Sequence, residues 1–452
     1  MIQVVPRRRR AARGPGRWLA AALVAGLAVL PGAPAAGAAG AQHATGGGTT
    51  GAPAVATALP PGAAERIVAI TRDLMKEQGV RAAIVRVTVD GQEVVTAAFG
   101  ESMTGVPATP EMHFRNGAVA IVYMSTLLLQ LVDEGAVRLD DPVARWLPEL
   151  PDAGRVTLRM LANMTAGYPD FVPDPQFVAA SYANPFRQWT TREQIDVGLA
   201  QPRLFAPGTN WDYSHTNYVI LGQVLERVTG RPLDALMRER IFAPLNLRDT
   251  RGESTAAIQA PALHAFSSER RAALGVPAGA RFYEESTFWN PSWTLAQGAI
   301  QTTNIYDMAT SMVAVGEGAL LSPASHRAQL APDLLGFGSV LAGCRTCHPL
   351  DRRYNYGLGI VLHGDWLLQN PLFGGYGATG AYLPSRRIAV AVATTFGEDG
   401  FDRDGDYKYG NSSQAIFEAI GAYLAPEGPP PRRAGDPASP GPRRGGRRHG
   451  PA

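Results

Sequence analysis

The clearest hydrophobic pattern lies in the first third of the chain. Ile121, Met124, Leu128 and Leu131 recur at three- and four-residue spacing, which places them on one face of a helix. Gly135 follows and supplies a stop. The pattern predicts an amphipathic helix with one face against a core, and we expect the rest of the domain to be built around it.

Similar patterns predict the elements before and after this helix. Helical periodicity predicts helices over residues 63–78, 216–228 and 413–424. Alternating apolar residues predict strands over 82–89, 93–99, 356–363, 380–383 and 388–395. Asp90-Gly91, between the first two strands, is a strong hairpin signal. Residues 168–205 are aromatic-rich without a clear period, and we expect an irregular insertion that forms part of a lid or rim.

The two ends differ in composition from the middle. Residues 1–40 place arginines before an apolar run at 18–30 and then small residues, the layout of a secretory signal peptide. The run is too short to span a bilayer comfortably, so no stable membrane span is expected after cleavage. Residues 41–60 read as a low-complexity linker and 425–452 as a disordered tail rich in Pro, Gly and Arg. The folded domain is therefore expected over 61–424, in a protein exported to the cell envelope.

Charge argues against a nucleic-acid partner. The whole chain has a formal net charge of +3, but six arginines lie in the leader and six more in the tail, against two tail acids. The core over 41–425 is therefore acidic, at −7. A nucleic-acid-binding domain needs a basic face, and only the tail is basic.

Two blocks of sequence carry a family resemblance. Residues 114–148 contain FRNGAVAI and later EGAVRLDDPVARWLP, and residues 207–222 read PGTNWDYSHTNYVILG. They resemble the β-lactamase-related family of class C β-lactamases, D-alanyl-D-alanine carboxypeptidases and related esterases, which have F-R-I-G-S-V-T-K and Y-S-N-T-N-Y at these places. The resemblance implies an α/β fold of the α+β type: a mainly antiparallel sheet flanked by helices, plus a helical region.

The same resemblance indicates that the catalytic pair is missing. The family's nucleophilic Ser falls on Ala118 and its Lys on Ile121, and neither residue can attack or ionise. The only lysines, Lys76 and Lys408, have no Ser three residues before them, so S-x-x-K does not lie elsewhere. Ser125, two turns deeper, is interpreted as a buried hydroxyl bonded to the preceding turn.

The other two family motifs are altered as well. The second, Y-x-N, keeps its Tyr as Tyr213 but has His215 in place of Asn. Aligning the third, H-x-G or K-T-G, puts Gly375, Tyr376 and Gly377 on it, without the cation. The resemblance therefore implies a degenerate substrate-binding strand.

Cys344, Cys347 and His348 spell C-x-x-C-H, the pattern of covalent haem attachment. These are the only two cysteines, and they lie in a loop flanked by Gly and Pro, where a short disulfide is the expected use in an exported protein. We expect neither a cofactor nor a metal.

Three functional hypotheses remain. The first is a catalytically disabled member that uses its cleft to bind a peptidoglycan-like peptide or a protein. The second is an active hydrolase of the D,D-carboxypeptidase, β-lactamase or esterase type, with rearranged chemistry at Tyr213 and His215. The third is a c-type haem protein.

Overall fold

The computed structural model describes residues 59–252, 255–277 and 279–432. The predicted signal peptide, almost all of the predicted linker and residues 433–452 lie outside these ranges. Within them, no helix is both long enough and apolar enough to cross a membrane.

The described residues form ten α-helices and fourteen strands. The helices are α1 (Ala63–Glu77), α2 (Val119–Asp133), α3 (Leu158–Ala162), α4 (Pro175–Ala183), α5 (Thr191–Ala200), α6 (His215–Thr229), α7 (Leu233–Met237), α8 (Ile305–Glu317), α9 (Pro323–Gln329) and α10 (Ser412–Leu424). The strands are β1 (Val80–Val89), β2 (Gln92–Met103), β3 (Val106–Pro107), β4 (Phe114–Arg115), β5 (Arg251–Gly252), β6 (Phe266–Ser267), β7 (Glu284–Glu285), β8 (Gln301–Thr303), β9 (Asn355–Tyr356), β10 (Val361–His363), β11 (Trp366–Gln369), β12 (Leu372–Phe373), β13 (Tyr376–Leu383) and β14 (Ile388–Phe396).

One antiparallel sheet organises the domain. Its strand order is β3-β2-β1-β14-β13-β11-β10-β9, with β12 paired to β13. The predicted hairpin is present between β1 and β2, where Asp90 and Gly91 take φ values of 49° and 74°. Two consecutive positive φ values match a type I′ turn, whose twist suits a two-residue hairpin.

Helices cover both faces of this sheet. Along β13, the Thr379 hydroxyl lies 2.8 Å from Ser413 on α10. A Cβ at the next residue, Gly380, would lie 2.7 Å from Met312 on α8. Because successive strand residues point to opposite faces, α10 covers one face and α8 the other. The expected fold, a mainly antiparallel sheet flanked by helices, is confirmed.

The helical region is built around α2. Twelve of its fifteen residues are buried, and it packs against α6, α7 and α9. Close packing depends on Gly222 of α6, where a Cβ would lie 3.2 Å from the Met124 methyl. The predicted amphipathic character is therefore wrong, because neighbouring helices cover α2 on more than one side.

Other sequence-based boundaries also change. The strand predicted over 356–363 is two short strands, β9 and β10, which pair with each other around a turn. The strand predicted over 380–383 begins four residues earlier, and β11 was not predicted. The insertion at 168–205 contains α4 and α5, so it is more regular than expected.

The predicted disordered tail begins too early at residue 425. Ala425 and Pro430 are buried, and the Gly428 carbonyl accepts a hydrogen bond of 3.1 Å from Trp366 Nε1. Glu427 forms an ion pair with Arg386. Residues 425–432 therefore belong to the folded domain, because Pro430 packs on α10 and Pro431 on the turn between β10 and β11, despite a composition typical of disorder.

Candidate functional site

An open cleft lies where the N-terminus of α2 meets the segment that connects β11 to β12. Its volume is about 560 Å³. Gly117 takes a φ of 39°, and a Cβ there would lie 2.5 Å from the Phe373 ring and 2.9 Å from Pro371, so this position requires Gly. The cleft is lined by Gly117, Ala118, Val172, Trp211, Tyr213, His215, Trp293, Thr294, Leu295, Arg345, Thr346, His348, Tyr354 and residues 370–373.

Ala118 lies where a helix-borne nucleophile would stand. It immediately precedes α2, and its half-buried side chain lines the cleft. Ile121 is one turn further along α2 and fully buried. A methyl group and a sec-butyl group can neither attack a carbonyl nor accept a proton.

Ser125 is not placed to act as a nucleophile in the cleft. It is fully buried and lies outside the cleft lining. Its hydroxyl donates to the Val122 carbonyl at 2.9 Å and accepts from Gln329 Nε2 at 3.2 Å. The hydroxyl is bonded to the preceding turn of its own helix, as the sequence predicted.

His215 is paired with a carboxylate. Asp170 accepts a hydrogen bond from His215 Nδ1 at 3.1 Å and another from the His215 backbone N–H at 3.1 Å. A carboxylate that accepts from Nδ1–H fixes the imidazole tautomer and leaves Nε2 as the acceptor. Sequence reasoning missed Asp170, which stands 45 positions before His215 and belongs to no motif.

Tyr213 lies beside this pair but is poorly suited to acid-base work. Its ring meets the His215 ring edge-on, with centroids 5.3 Å apart. Burial, and to a lesser degree the neighbouring Tyr354 and Asp170, raise the pKa of Tyr213 well above its ordinary value. The phenol therefore stays protonated at neutral pH. The structure brings Tyr213, His215 and Ala118 to one cleft, as the resemblance implied.

The residues aligned with the third motif are not among those that line the cleft. Tyr376 is buried, donates to the Leu263 carbonyl at 2.7 Å and lines a separate cavity. Gly375 donates its N–H to the Tyr407 hydroxyl at 2.8 Å. Neither they nor Gly377 line the cleft. β12 and β13 form a tight hairpin through Gly374 and Gly375, and Gly117 packs against Pro371 and Phe373, so residues 370–373 line the cleft instead. The alignment of the third motif itself stays a prediction.

A disulfide loop forms another wall of the cleft. Cys344 and Cys347 form a disulfide, with their Cα atoms 5.5 Å apart. The Thr346 hydroxyl donates to Asp212, and its oxygen accepts the Tyr213 N–H at 3.1 Å. These bonds hold the loop against the segment before α6, and Arg345 of this loop lines the cleft.

Asp212 is the most perturbed acid near the cleft. It is 5% exposed, and Cys344 Sγ lies 3.2 Å from its Oδ1. A disulfide sulfur carries no proton to donate, so it does not stabilise the charge. Burial raises the pKa of Asp212 to about 6, against a partly opposing hydrogen bond from Thr346.

The same disulfide bears on metal and haem binding. Asp212, Cys344 and Cys347 form the one group of three potential metal ligands found among the described residues. Both sulfurs are bonded to each other, so neither is a thiolate ligand. Thioether links to haem also need both sulfurs, and the oxidised pair therefore contradicts the haem hypothesis.

Comparisons with known proteins agree with this architecture. A family model described as Beta-lactamase matches residues 67–414. Penicillin-binding protein 4 of Amycolatopsis lactamdurans is 35% identical over 193 residues, which are 39% of this chain and 46% of the relative. The D-alanyl-D-alanine-carboxypeptidase/endopeptidase AmpH of Escherichia coli K12 is 30% identical over 172 residues, which are 36% of this chain and 43% of the relative. The chain thus spans less than half the length of these curated relatives.

A solved structure extends the similarity across the domain. A D-stereospecific amidohydrolase from Streptomyces sp. superposes with a TM-score of 0.62 at 25% identity, covering 78% of this chain and 98% of the other. The sheet with its terminal helices, the helical region around α2 and the family-model match all point to one family. This chain belongs to the β-lactamase family.

Proposed function

We propose that this chain is a binding member of its family that has lost covalent catalysis and holds a cell-wall-like peptide in its cleft. The observation that carries the proposal is the pair Ala118 and Ile121 at the start of α2. In serine hydrolases, removal of the nucleophile alone lowers turnover about a millionfold. A protein that lacks both the nucleophile and the lysine can still bind a ligand in its cleft, but it cannot form the covalent acyl intermediate.

The remaining hydroxyls of the cleft support the same conclusion. The Thr294 hydroxyl donates to the Pro291 carbonyl at 2.8 Å, and the Thr346 hydroxyl donates to Asp212. Tyr213 is held protonated by its raised pKa. As far as the described residues go, the cleft lining contains no Ser, Cys or Lys. The Thr294 and Thr346 hydroxyls donate to other groups and not to the imidazole of His215, the pairing that would activate a hydroxyl as a nucleophile.

The charge of the cleft favours a ligand with a carboxylate. Arg345 and two histidines line it, whereas the described lining contains no Asp or Glu. Guanidinium groups bind carboxylates with two parallel hydrogen bonds. Relatives named as penicillin-binding proteins and D-alanyl-D-alanine carboxypeptidases support a peptide that ends in D-alanyl-D-alanine. Such a peptide is outside the cytoplasm, which agrees with an exported protein.

One observation favours a second candidate, hydrolysis without a covalent intermediate. The Asp170-His215 pair orients an imidazole in the cleft, and such a base can activate a water molecule. In this candidate, His215 Nε2 takes a proton from the water while the backbone at the start of α2 stabilises the developing negative charge.

Two assays separate these functions. The first is covalent labelling with a fluorescent penicillin, with a boiled sample as control. The second is calorimetric titration with diacetyl-L-Lys-D-Ala-D-Ala, with the peptide amide as control, followed by an assay for released D-Ala. We expect binding of the acid, weak binding of the amide, no labelling and no D-Ala. Labelling would contradict the proposal, whereas D-Ala release abolished by His215→Ala would support the second candidate.

A further inference from the structure

A second cavity adjoins the cleft, and most of its lining lies outside the family motifs. It has a volume of about 100 Å³ and shares three lining residues with the cleft: Val172, Trp293 and Phe373. The remaining lining comes chiefly from α4, the segment between α4 and α5, and residues 286–291. The two spaces are therefore neighbours, separated by side chains that contact both.

Rigid aromatic side chains form much of its wall. The rings of Phe177 and Trp189 lie 4.4 Å apart, and the Arg187 guanidinium lies 3.7 Å from the Trp189 ring centroid. The backbone N–H of Trp189 donates to Ser292 Oγ at 2.7 Å. Phe177 and Trp189 are only 3% and 5% exposed. Because these rings are packed against each other and the backbone of Trp189 is hydrogen-bonded, the cavity is formed before any ligand binds.

The charged groups in the wall are bonded to the protein. Arg115 is 2% exposed and donates to the carbonyls of Thr287 and Ala256, at 3.1 and 2.8 Å. Glu269 accepts hydrogen bonds from Ser267 at 2.7 Å and Tyr407 at 2.9 Å. Burial raises the pKa of Glu269. Both groups are engaged within the fold, so the cavity suits an uncharged occupant.

One polar atom in the wall has no partner. The Ser181 hydroxyl on α4 is buried and makes no hydrogen bond within the described part of the chain. Buried hydroxyls are normally hydrogen-bonded, and leaving one unpaired is unfavourable. Apolar walls with a few polar groups that orient the ligand are typical of small-molecule sites.

We propose that this cavity binds an uncharged aromatic group of the ligand whose peptide part lies in the cleft, with one hydrogen bond to Ser181. An engineered apolar cavity of about 150 Å³ binds benzene, so a cavity of this order accommodates a single ring. The proposal rests on the proposed function for the peptide part. The cavity itself is tested without any peptide.

The first test uses phenylacetamide, which carries a phenyl ring and one hydrogen-bonding group. Binding to the full chain is measured by saturation-transfer NMR. Val178 lines the cavity from α4, so Val178→Trp fills it, and Ser181→Leu fills it from the next turn. Ala179→Trp, on the exposed side of the same helix, is the matched control. Circular dichroism shows whether each variant is folded.

We expect phenylacetamide to bind the native chain and Ala179→Trp equally, and to bind each filled variant at least about tenfold more weakly. Equal binding by a folded filled variant, or no binding by the native chain, overturns the proposal.

The second test links the cavity to the cleft. N-phenylacetyl-D-Ala-D-Ala and N-acetyl-D-Ala-D-Ala differ only in the ring, and we expect the ring to tighten binding about tenfold in the native chain but not in Val178→Trp. Equal affinities for both dipeptides overturn the shared-ligand proposal while the proposed function stands. If phenylacetamide binds but neither dipeptide does, the proposed function fails and the cavity remains an aromatic site.

Discussion

Positions 118 and 121 differ in how well each can accommodate the residue that the family has there. Ala118 is half-buried at the cleft, so Ser is tolerated there. Ile121 is fully buried, and a lysine ammonium at that point loses its hydration. A lysine at position 121 should therefore be harder to accommodate than a serine at position 118.

This difference in burial predicts that one single variant is nearly as stable as the native chain and that the other is much less stable. Ala118→Ser should change the free energy of unfolding by no more than about 0.5 kcal/mol, as is usual for a position outside the core. Ile121→Lys should lower it by about 3–5 kcal/mol, because it buries an unpaired charge. Urea denaturation measures both. Ile121→Met is the control for size, and the claim fails if Lys is tolerated as well as Met.

Asp212 gives a pH-dependent prediction. Its folded pKa of about 6 lies above the ordinary 3.8, so the folded state binds the proton more tightly. The resulting stability is present below about pH 4 and is lost as the pH rises to about 6, by about 3 kcal/mol. Asp212→Asn removes this loss and should be more stable than the native chain at pH 7, but not at pH 4.

Urea denaturation at the two pH values measures that difference. Asp404→Asn, at an exposed position, is the control and should leave the pH dependence unchanged. If the free energy of unfolding of Asp212→Asn depended on pH in the same way as that of the native chain, Asp212 would not be the cause of this pH dependence.

Single residues also show what the sequence could reveal about the site. The family motifs located Ala118 and Tyr213, because these lie in contiguous blocks with fixed spacing. Asp170 could not be found this way, because its contact with His215 depends on how α6 packs against a loop 45 residues earlier. The alignment of the third motif with residues 375–377 stays a prediction, and the sequence did not indicate that residues 370–373, on the other side of the β12-β13 turn, line the cleft.

The disulfide loop is the element that gives the cleft its charge. It carries Arg345, and Arg345→Gln should weaken binding of diacetyl-L-Lys-D-Ala-D-Ala about tenfold, the scale of one hydrogen bond to a charged group. Arg327→Gln, an exposed change on α9, should have no effect. Calorimetry at low and high salt measures both. An unchanged affinity in Arg345→Gln would remove this loop from the binding site.

The loop's position depends on its cross-link. Replacing both cysteines, Cys344→Ser with Cys347→Ser, should lower the free energy of unfolding by about 2 kcal/mol, because the closed loop is short. The affinity for the same peptide should also fall, since Thr346 and Arg345 are no longer held at the cleft. Thermal unfolding and calorimetry test the pair of effects, and reduction of the native chain should reproduce them. Lower stability with full affinity would show that the cross-link is structural only.

Some helices and strands could be predicted from local sequence signals, and others could not. The β1-β2 hairpin followed from Asp90-Gly91, a local signal. Helix α5 was missed although Thr190 and Glu193 form a capping box, which the sequence already contained as T-x-x-E. The broken strand at β9 and β10 depends on Gly359, whose backbone packs against Ser125 and Tyr218, a tertiary contact that no local pattern reports.

At the scale of the whole molecule, the fold is that of the family, but the fold alone does not determine the function. The sheet, its covering helices and the central α2 belong to the family, and the sequence blocks were sufficient to predict them. Function depends on a few groups placed on that fold. Here Arg345 lines the cleft, and Ala118 and Ile121 stand at the start of α2, which is the basis of the proposed binding function.

Mass spectrometry of the full chain with diacetyl-L-Lys-D-Ala-D-Ala tests this account most directly. Under native conditions, we predict a complex whose added mass is that of the intact peptide. Under denaturing conditions, we predict the mass of the protein alone and a peptide of unchanged length. A covalent adduct that survives denaturation, or a peptide shortened by one alanine, would contradict the account.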